Sequence, residues 1–270
     1  MINILMSTYN GGHYLSQQLD SILQQSVTEW QLFIRDDGSS DDTRRIISLY
    51  SDPRIHLLDA DGRNLGAMRS FEYLLTNYGD ADYIAFADQD DIWLPHKLEL
   101  SLDLMKKGEQ NHGSSTPIVI HTDLTVVDSE LKEISPSFWK YSNLQPDLIE
   151  SDIHFLAIAN CLTGCTMLIN RAAAQTALPF SATAYMHDAW IALSAMNAKG
   201  IICPVNQSTM LYRQHGKNTL GAVEYRFTFA QWKWKYFLAK RSYTASHPIV
   251  FANPLQFIYW KIRYFCKLHL

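Results

Sequence analysis

Short apolar runs alternating with helix-period segments constrain this chain more than any other feature. "INILMSTYN" breaks at Asn10-Gly11-Gly12, and "YLSQQLDSILQQ" then sets Leu15, Leu19, Ile22 and Leu23 on one helical face. "WQLFIRDDGSSDDT" reads as a second strand entering a turn, where Asp41 or Asp42 can cap the helix "TRRIISLYS". "RIHLLDA" is a third strand, and "NLGAMRSFEYLLTNYG" is a turn and a helix with Phe71, Leu74 and Leu75 inward. "YIAFADQDD" is a fourth strand. Continuous apolar strands separated by helices predict an α/β fold, with a mostly parallel central sheet flanked by helices. Beyond it, "TPIVIHTDLTVVD" reads as strand, "SPSFWKYSNLQPDLIESDIHFL" as loop with short helices, "NCLTGCTMLINRAAAQ" as strand into helix, and "HDAWIALSAMNAKG" as helix.

In a parallel sheet, ligands gather where strands end. Here "STYN", "RDDGSSDD" and "DQDD" end the first, second and fourth strands, so Asp36, Asp37, Asp88, Asp90 and Asp91 can converge from distant positions. Like charges this close repel, and a hard divalent cation with oxygen ligands would relieve them; the alternative is solvated turn and cap chemistry. Neither GxxxxGK[ST] nor GxGxxG occurs. A metal beside a nucleotide diphosphate would therefore do the phosphate-neutralising work that glycine-rich cradles do elsewhere.

Charge divides the chain unevenly. Residues 222–270 carry eight Lys/Arg (Arg226, Lys233, Lys235, Lys240, Arg241, Lys261, Arg263, Lys267) against one acid, Glu224, although the whole chain has a net charge of −4. That tail is also rich in aromatics, with Trp232, Trp234, Tyr236, Phe237, Tyr259, Trp260, Tyr264 and Phe265 among the basic side chains. Rings suit a membrane interface and Lys/Arg suit anionic headgroups. A helix pair packed on the body of the protein, or on a second subunit of a homo-oligomer, is the other reading. The acidic remainder argues against a nucleic-acid partner. Cys161, Cys165, Cys203 and Cys266 form no zinc-type pattern, and Cys161 and Cys165 read as small core residues. With no signal-like start and no run of about 18–20 apolar residues, the expected location is cytoplasmic, peripheral on the inner face of the membrane through the tail.

The ordered set "STYN", "RDDGSSDDT", "NLG", "DQDDIWLPHKL", "TGCTMLINR", "HDAW" and "YRQHGKN" resembles the family 2 glycosyltransferases of the GT-A fold, most closely bacterial rhamnosyltransferase-type enzymes, over roughly residues 1–220. The resemblance implies a catalytic domain over 1–221, a helical basic appendage over 222–270, and Mn²⁺ or Mg²⁺ as cofactor. By the same resemblance Thr8, Tyr9, Asn10, Asp36 and Asp37 line the nucleobase and ribose pocket, and Asn64 and Gly66 border the base or sugar diphosphate. The resemblance makes Asp90 the expected direct metal ligand, with Asp88 on the ribose or a water-mediated metal contact, and Gln89 and Asp91 on the donor side. The resemblance further implies that His215 meets the diphosphate or metal with Arg213 nearby, and that Asp188 is the catalytic base. Gly164, Cys165, Thr166, His187 and Trp93 fall on the acceptor side.

Blander roles stay open for several of these. The His187-Asp188 pair could simply start a helix, where Asp favours the positive dipole end. Trp93 could be packing, Gly164 to Thr166 a packed strand start, and His121 and Asp123 core hydrogen bonding. The implied activity is an inverting transfer from a nucleotide sugar, dTDP-rhamnose first and a UDP-hexose second, to a surface glycan or lipid-linked precursor. A metal-dependent nucleotidyltransferase would want a basic glycine-rich loop near the N-terminus, and "STYNGGHYLSQQ" holds no Lys or Arg. An inactive sugar-binding module would be indifferent to Asp90→Asn or Asp188→Asn.

Overall fold

The alternation of the first half is realised as β1 (Ile2–Thr8), α1 (Leu15–Leu23), β2 (Trp30–Asp36), α2 (Thr43–Ser48), β3 (Ile55–Leu57), α3 (Ala67–Tyr78) and β4 (Tyr83–Ala87). The computed structural model describes residues 1–59, 62–216, 221–222, 244, 246 and 249–269. After β4 follow β5 (Ile92–Trp93), α4 (Lys97–His112), β6 (Ile118–Val127), β7 (Glu133–Ser135), α5 (Phe138–Tyr141), α6 (Pro146–Ile149) and α7 (Ile153–Ile158). The chain closes with β8 (Leu168–Asn170), α8 (Arg171–Ala177), α9 (His187–Asn197), β9 (Ile201–Arg213) and a tail helix, α10 (Pro254–His269).

One sheet carries the strands in the order β3-β2-β1-β4-β8-β6-β9-β5, with β7 beside β6. Pairing is parallel among β3, β2, β1 and β4, whereas β8 enters antiparallel between β4 and β6. The sheet is thus parallel over its N-terminal half and mixed beyond it. Because β2 and β4 flank β1 on opposite sides, their carboxyl ends open a crevice of the kind that binds ligands in α/β sheets.

Two apolar clusters cover the two faces. Leu5, Phe71, Leu74 and Phe86 belong to one; Ile4, Met6, Leu15, Leu19 and Ile22 belong to the other. Fully burying each such side chain contributes roughly 1.5–3 kcal/mol, so α1 and α3 are held mainly by this packing. At α2 the boundary residue is Asp42, but the capping bond comes from Asp41, whose carboxylate accepts from Thr43 N–H at 3.0 Å.

In the tail, Phe257 and Tyr264 of α10 are buried against the body, and Trp260 stacks on His154 of α7 at 4.0 Å. The tail residues Arg226, Trp232, Lys233, Trp234, Lys235, Tyr236, Phe237, Lys240 and Arg241 lie outside the described residues, as do Lys217 and Asn218 of "YRQHGKN". Among the described residues, no helix is long and apolar enough to cross a membrane.

Candidate active site

The ends of β1, β2 and β4, the turn before α3 and the start of α9 enclose a cavity of about 310 Å³. Ten of the residues singled out from the sequence line it: Tyr9, Asp37, Asn64, Gly66, Asp88, Gln89, Asp90, Gly164, His187 and Asp188. Ser7, Ala67, Phe71, Thr163, Met186 and Tyr212 complete the wall. These six carry little chemical signal in sequence. Phe71 reads as core, and the others flank motifs whose charged members draw the eye.

One wall is a backbone scaffold held by side chains. The Gln89 amide accepts from Tyr9 N–H at 2.9 Å and donates to Tyr9 C=O at 3.0 Å, tying the end of β1 to the acidic loop. Gly11 is required beneath it, since a Cβ there would overlap the Gln89 amide. The Tyr9 ring is left 51% exposed at the rim. Asp37 accepts from Leu65 N–H and Gly66 N–H at 2.8–3.0 Å and pairs with Arg35. Its carboxylate therefore fixes the turn before α3, where Gly66 takes a φ of +77° that favours glycine.

Several expected donor contacts serve the scaffold instead. Thr8 is fully buried and donates to Asp36, whose carboxylate also accepts from Ser39 N–H and Oγ–H. Asn10 turns outward and accepts from Ser40 N–H at 2.8 Å. Both Thr8 and Asp36 are sealed off from the cavity because turn closure uses their polar atoms. Arg213 is likewise buried, donating to Asp90 C=O, Ser129 C=O and Gln17 Oε1 at 2.6–2.9 Å, with Tyr14 under its guanidinium. It braces the acidic loop and does not line the cavity.

The acceptor-side set also divides. Trp93 is core, with Lys97 Nζ 4.8 Å above its ring, and Cys165 and Thr166 are buried. Lys97 itself, a buried lysine that donates to Thr166 C=O at 3.2 Å, drew no attention in sequence because its place beneath the acids is a tertiary fact. Gly164 and His187 do reach the cavity, and they need one another: a Cβ at Gly164 would overlap the imidazole. His187 stacks on Phe71 at 4.0 Å, and burial pushes its pKa down to about 3, so the ring is neutral. Away from the cavity, His121 pairs with Glu150 at 2.6 Å, and Asp123 accepts from Phe138 and Trp139 N–H at the start of α5.

The electrostatics concentrate on four carboxylates. Asp90 is half-buried and its Oδ2 lies 2.8 Å from His215 Nε2, while the His215 ring stacks on Tyr14. Asp91 is buried and accepts from Arg213 N–H at 3.2 Å. Burial, then repulsion from Asp90 and Asp188, pushes Asp88 up to about 7. Asp188, in the first turn of α9, is raised to about 6 by burial, partly offset by the N–H groups of Ala189 and Gly164. Asp88 and Asp188 therefore face the same space closely enough to feel each other's charge.

This donor set suits a hard divalent cation. Asp88 and Asp90 present two carboxylates at the cavity wall, with His215 outside the lining and held to Asp90, and a nearby cation would relieve the penalised ionisation of Asp88. Asp88, Asp91 and Cys165 also bring ligand atoms within 4.8 Å of one another, but Asp91 and Cys165 lie behind the wall.

Known proteins align with this architecture. The model of the family described as Glycosyl transferase family 2 matches residues 3–173, from β1 into α8. The UDP-Glc:alpha-D-GlcNAc-diphosphoundecaprenol beta-1,3-glucosyltransferase WfgD of Escherichia coli is 31% identical over 172 residues, 63% of this chain and 60% of WfgD. The chain thus spans about three fifths of that relative. The dTDP-rhamnosyl transferase RfbG of Shigella flexneri is 29% identical over 238 residues, 80% of this chain and 74% of RfbG. Among solved structures, S. aureus TarS 1-349 in complex with UDP-GlcNAc superposes with a TM-score of 0.66 at 12% identity, covering 98% of this chain and 71% of TarS 1-349. The mannosyltransferase PcManGT of Pyrobaculum calidifontis, in complex with GDP-Man and Mn2+, gives 0.63 at 14% identity, covering all of this chain and 70% of PcManGT. These two share only the fold, which is GT-A. The family match covers more than half of the chain, including β1, β2 and β4, and on that ground the chain belongs to glycosyl transferase family 2.

Proposed function

We propose that the chain transfers a sugar from a nucleotide donor to a hydroxyl of a cell-envelope glycan or its lipid-linked precursor, with inversion at the anomeric carbon. The observation that carries this reading is Asp188. It is a buried carboxylate raised to about 6, across one cavity from the Asp88 and Asp90 pair. A base poised near neutrality is matched to taking a proton from an attacking alcohol. As the acceptor oxygen bonds to the anomeric carbon, its proton passes to Asp188 and the bond from that carbon to the diphosphate oxygen breaks. Gly164 N–H and Ala189 N–H hold the Asp188 carboxylate in place for that step.

On the donor side, the exposed Tyr9 ring offers a stacking face for the base, and Asn64 and Gly66 border the sugar diphosphate. Mn²⁺ or Mg²⁺ would be held by Asp90 with Asp88 and His215, and when bound it neutralises charge on the departing diphosphate. dTDP-rhamnose is the first donor to test, supported by the length of the match to RfbG; a UDP-hexose, as in WfgD, is second. The catalytic unit is residues 1–221, and the basic segment 222–270 is the appendage that keeps the enzyme at the inner face of the membrane.

The direct test follows sugar transfer, or slow donor hydrolysis, with dTDP-rhamnose and UDP-glucose in turn. The expected result is cation-dependent turnover with one donor, abolished in Asp90→Ala. Turnover unchanged in both Asp90→Ala and Asp188→Asn would sink the reading.

A further inference from the structure

Helix α10 has two apolar faces. Its inner face packs on α7 through Trp260 and Tyr264, which meet His154 and Phe155, while Phe257 packs edge-on against Phe251. On the opposite side Leu255 is 78% exposed, and Ile258, Tyr259, Ile262 and Phe265 are each more than half exposed. At about 100° per residue these five side chains fall within an arc of roughly 120°, a stripe too wide and too apolar for a helix that simply faces water. Lys261 borders the stripe on one flank and Arg263 on the other, and no acidic residue follows Glu224 in the chain.

We propose that this outer stripe of α10 lies in the interface of a bilayer bearing anionic headgroups, with Lys261 and Arg263 at headgroup level. Charge complementarity selects that occupant. A second copy seated on the same face would bring two basic flanks together with no acidic side chain on α10 to answer them. An anionic lipid surface supplies both the apolar layer and the counter-charge.

The placement has a consequence for the reaction, and this part rests on the function proposed above. α10 packs on α7, α7 packs on α9, and α9 begins with His187-Asp188. Docking through α10 therefore puts the bilayer on the side of the molecule where α7 and α9 pack, with α7 between α10 and α9. A lipid-linked acceptor would reach Asp188 from the membrane side while the nucleotide sugar enters past Tyr9.

The test is flotation of the full chain with vesicles of phosphatidylcholine alone or mixed with phosphatidylglycerol, with no donor or acceptor present. Wild type is expected to float with the anionic vesicles and to be released by high salt. Replacing Ile258 and Ile262 together by Gln should weaken binding by roughly tenfold or more, since two large aliphatic side chains leave the interface. Arg263→Gln, which keeps the stripe, should weaken it by about fivefold. Circular dichroism and donor hydrolysis without vesicles should stay at wild-type levels in each variant. No flotation of wild type, or equal flotation of the variants, overturns the inference. So does a concentration-dependent dimer that the Ile258 and Ile262 substitutions dissociate. Loss of hydrolysis with intact flotation would instead count against the proposed chemistry and leave the docking face standing.

Discussion

At the level of single residues, burial sets the behaviour of the two groups that open α9. Asp188 has a folded pKa of about 6 against an ordinary 3.8, so the folded state holds an extra proton between those values. Stability contributed by this group therefore falls as pH rises through that window. Asp188→Asn removes the penalty and should stabilise the metal-free protein at pH 7 by roughly 1–3 kcal/mol, read from urea denaturation. Turnover in the same variant should drop about 10²–10⁴-fold, the usual contribution of a general base. In wild type, kcat/KM should fall as pH drops below about 6, because Asp188, the base proposed above, must be ionised before it can accept a proton. His187 runs the other way: its depressed pKa of about 3 contributes stability above its ordinary value of 6.5 that is lost as pH falls toward 3. Gly164 is fixed by that same imidazole. Gly164→Ala should cost about 1–3 kcal/mol in thermal or urea unfolding, because a Cβ has no space against a ring packed on Phe71.

At the level of elements, the acidic loop after β4 keeps its shape because two side chains grip it from opposite ends. Gln89 ties it to β1 and Arg213 ties it to β9 and α1. Arg213→Lys should fail to rescue, since an ammonium cannot serve three carbonyl acceptors in the planar arrangement of a guanidinium. The expected outcome is a loss of about 1–3 kcal/mol of stability, because the half-buried Asp90 and Ser129 carbonyls lose their donors, together with a raised donor KM. Wild-type stability and KM in the Lys variant would show that the brace is incidental. Elements also mark where sequence stops being legible. Strands β1 to β4 and helices α1 and α3 follow from apolar period alone, and their ends place the acids correctly. β9 escapes that reading because Pro204 and the polar run Asn206-Gln207-Ser208 interrupt it, and its pairing with β6 shifts register near Asp123. α4 escapes because Pro95 and a dense set of charges mask its period. Within the site, the acids and Tyr9 are legible as strand-end chemistry, whereas Asp188 of "HDAW" reads by pattern only as a helix start and is marked as a candidate base by the family resemblance. That Thr8, Asp36 and Arg213 face inward is not legible, since only tertiary packing decides which side of a turn a polar atom serves.

At the level of the whole molecule, one cavity joins two regions of unlike task. In the proposed reaction the parallel half of the sheet supplies the donor wall, and α9, reached only after the antiparallel β8, supplies the base. Such a division predicts that donor binding and turnover separate by mutation. The measurement that tests this most directly is the melting temperature of wild type, Asp90→Ala and Asp188→Asn against a panel of nucleotide sugars, each with Mn²⁺ and with EDTA. A ligand that binds only the folded state raises it by mass action, by the equivalent of about 2.7 kcal/mol at a hundredfold excess over Kd. The account predicts that one nucleotide sugar stabilises wild type and Asp188→Asn alike, only with the cation, and leaves Asp90→Ala unmoved. If no nucleotide sugar shifts wild type at saturating concentration with either metal condition, the cavity is not a donor site and the account is contradicted.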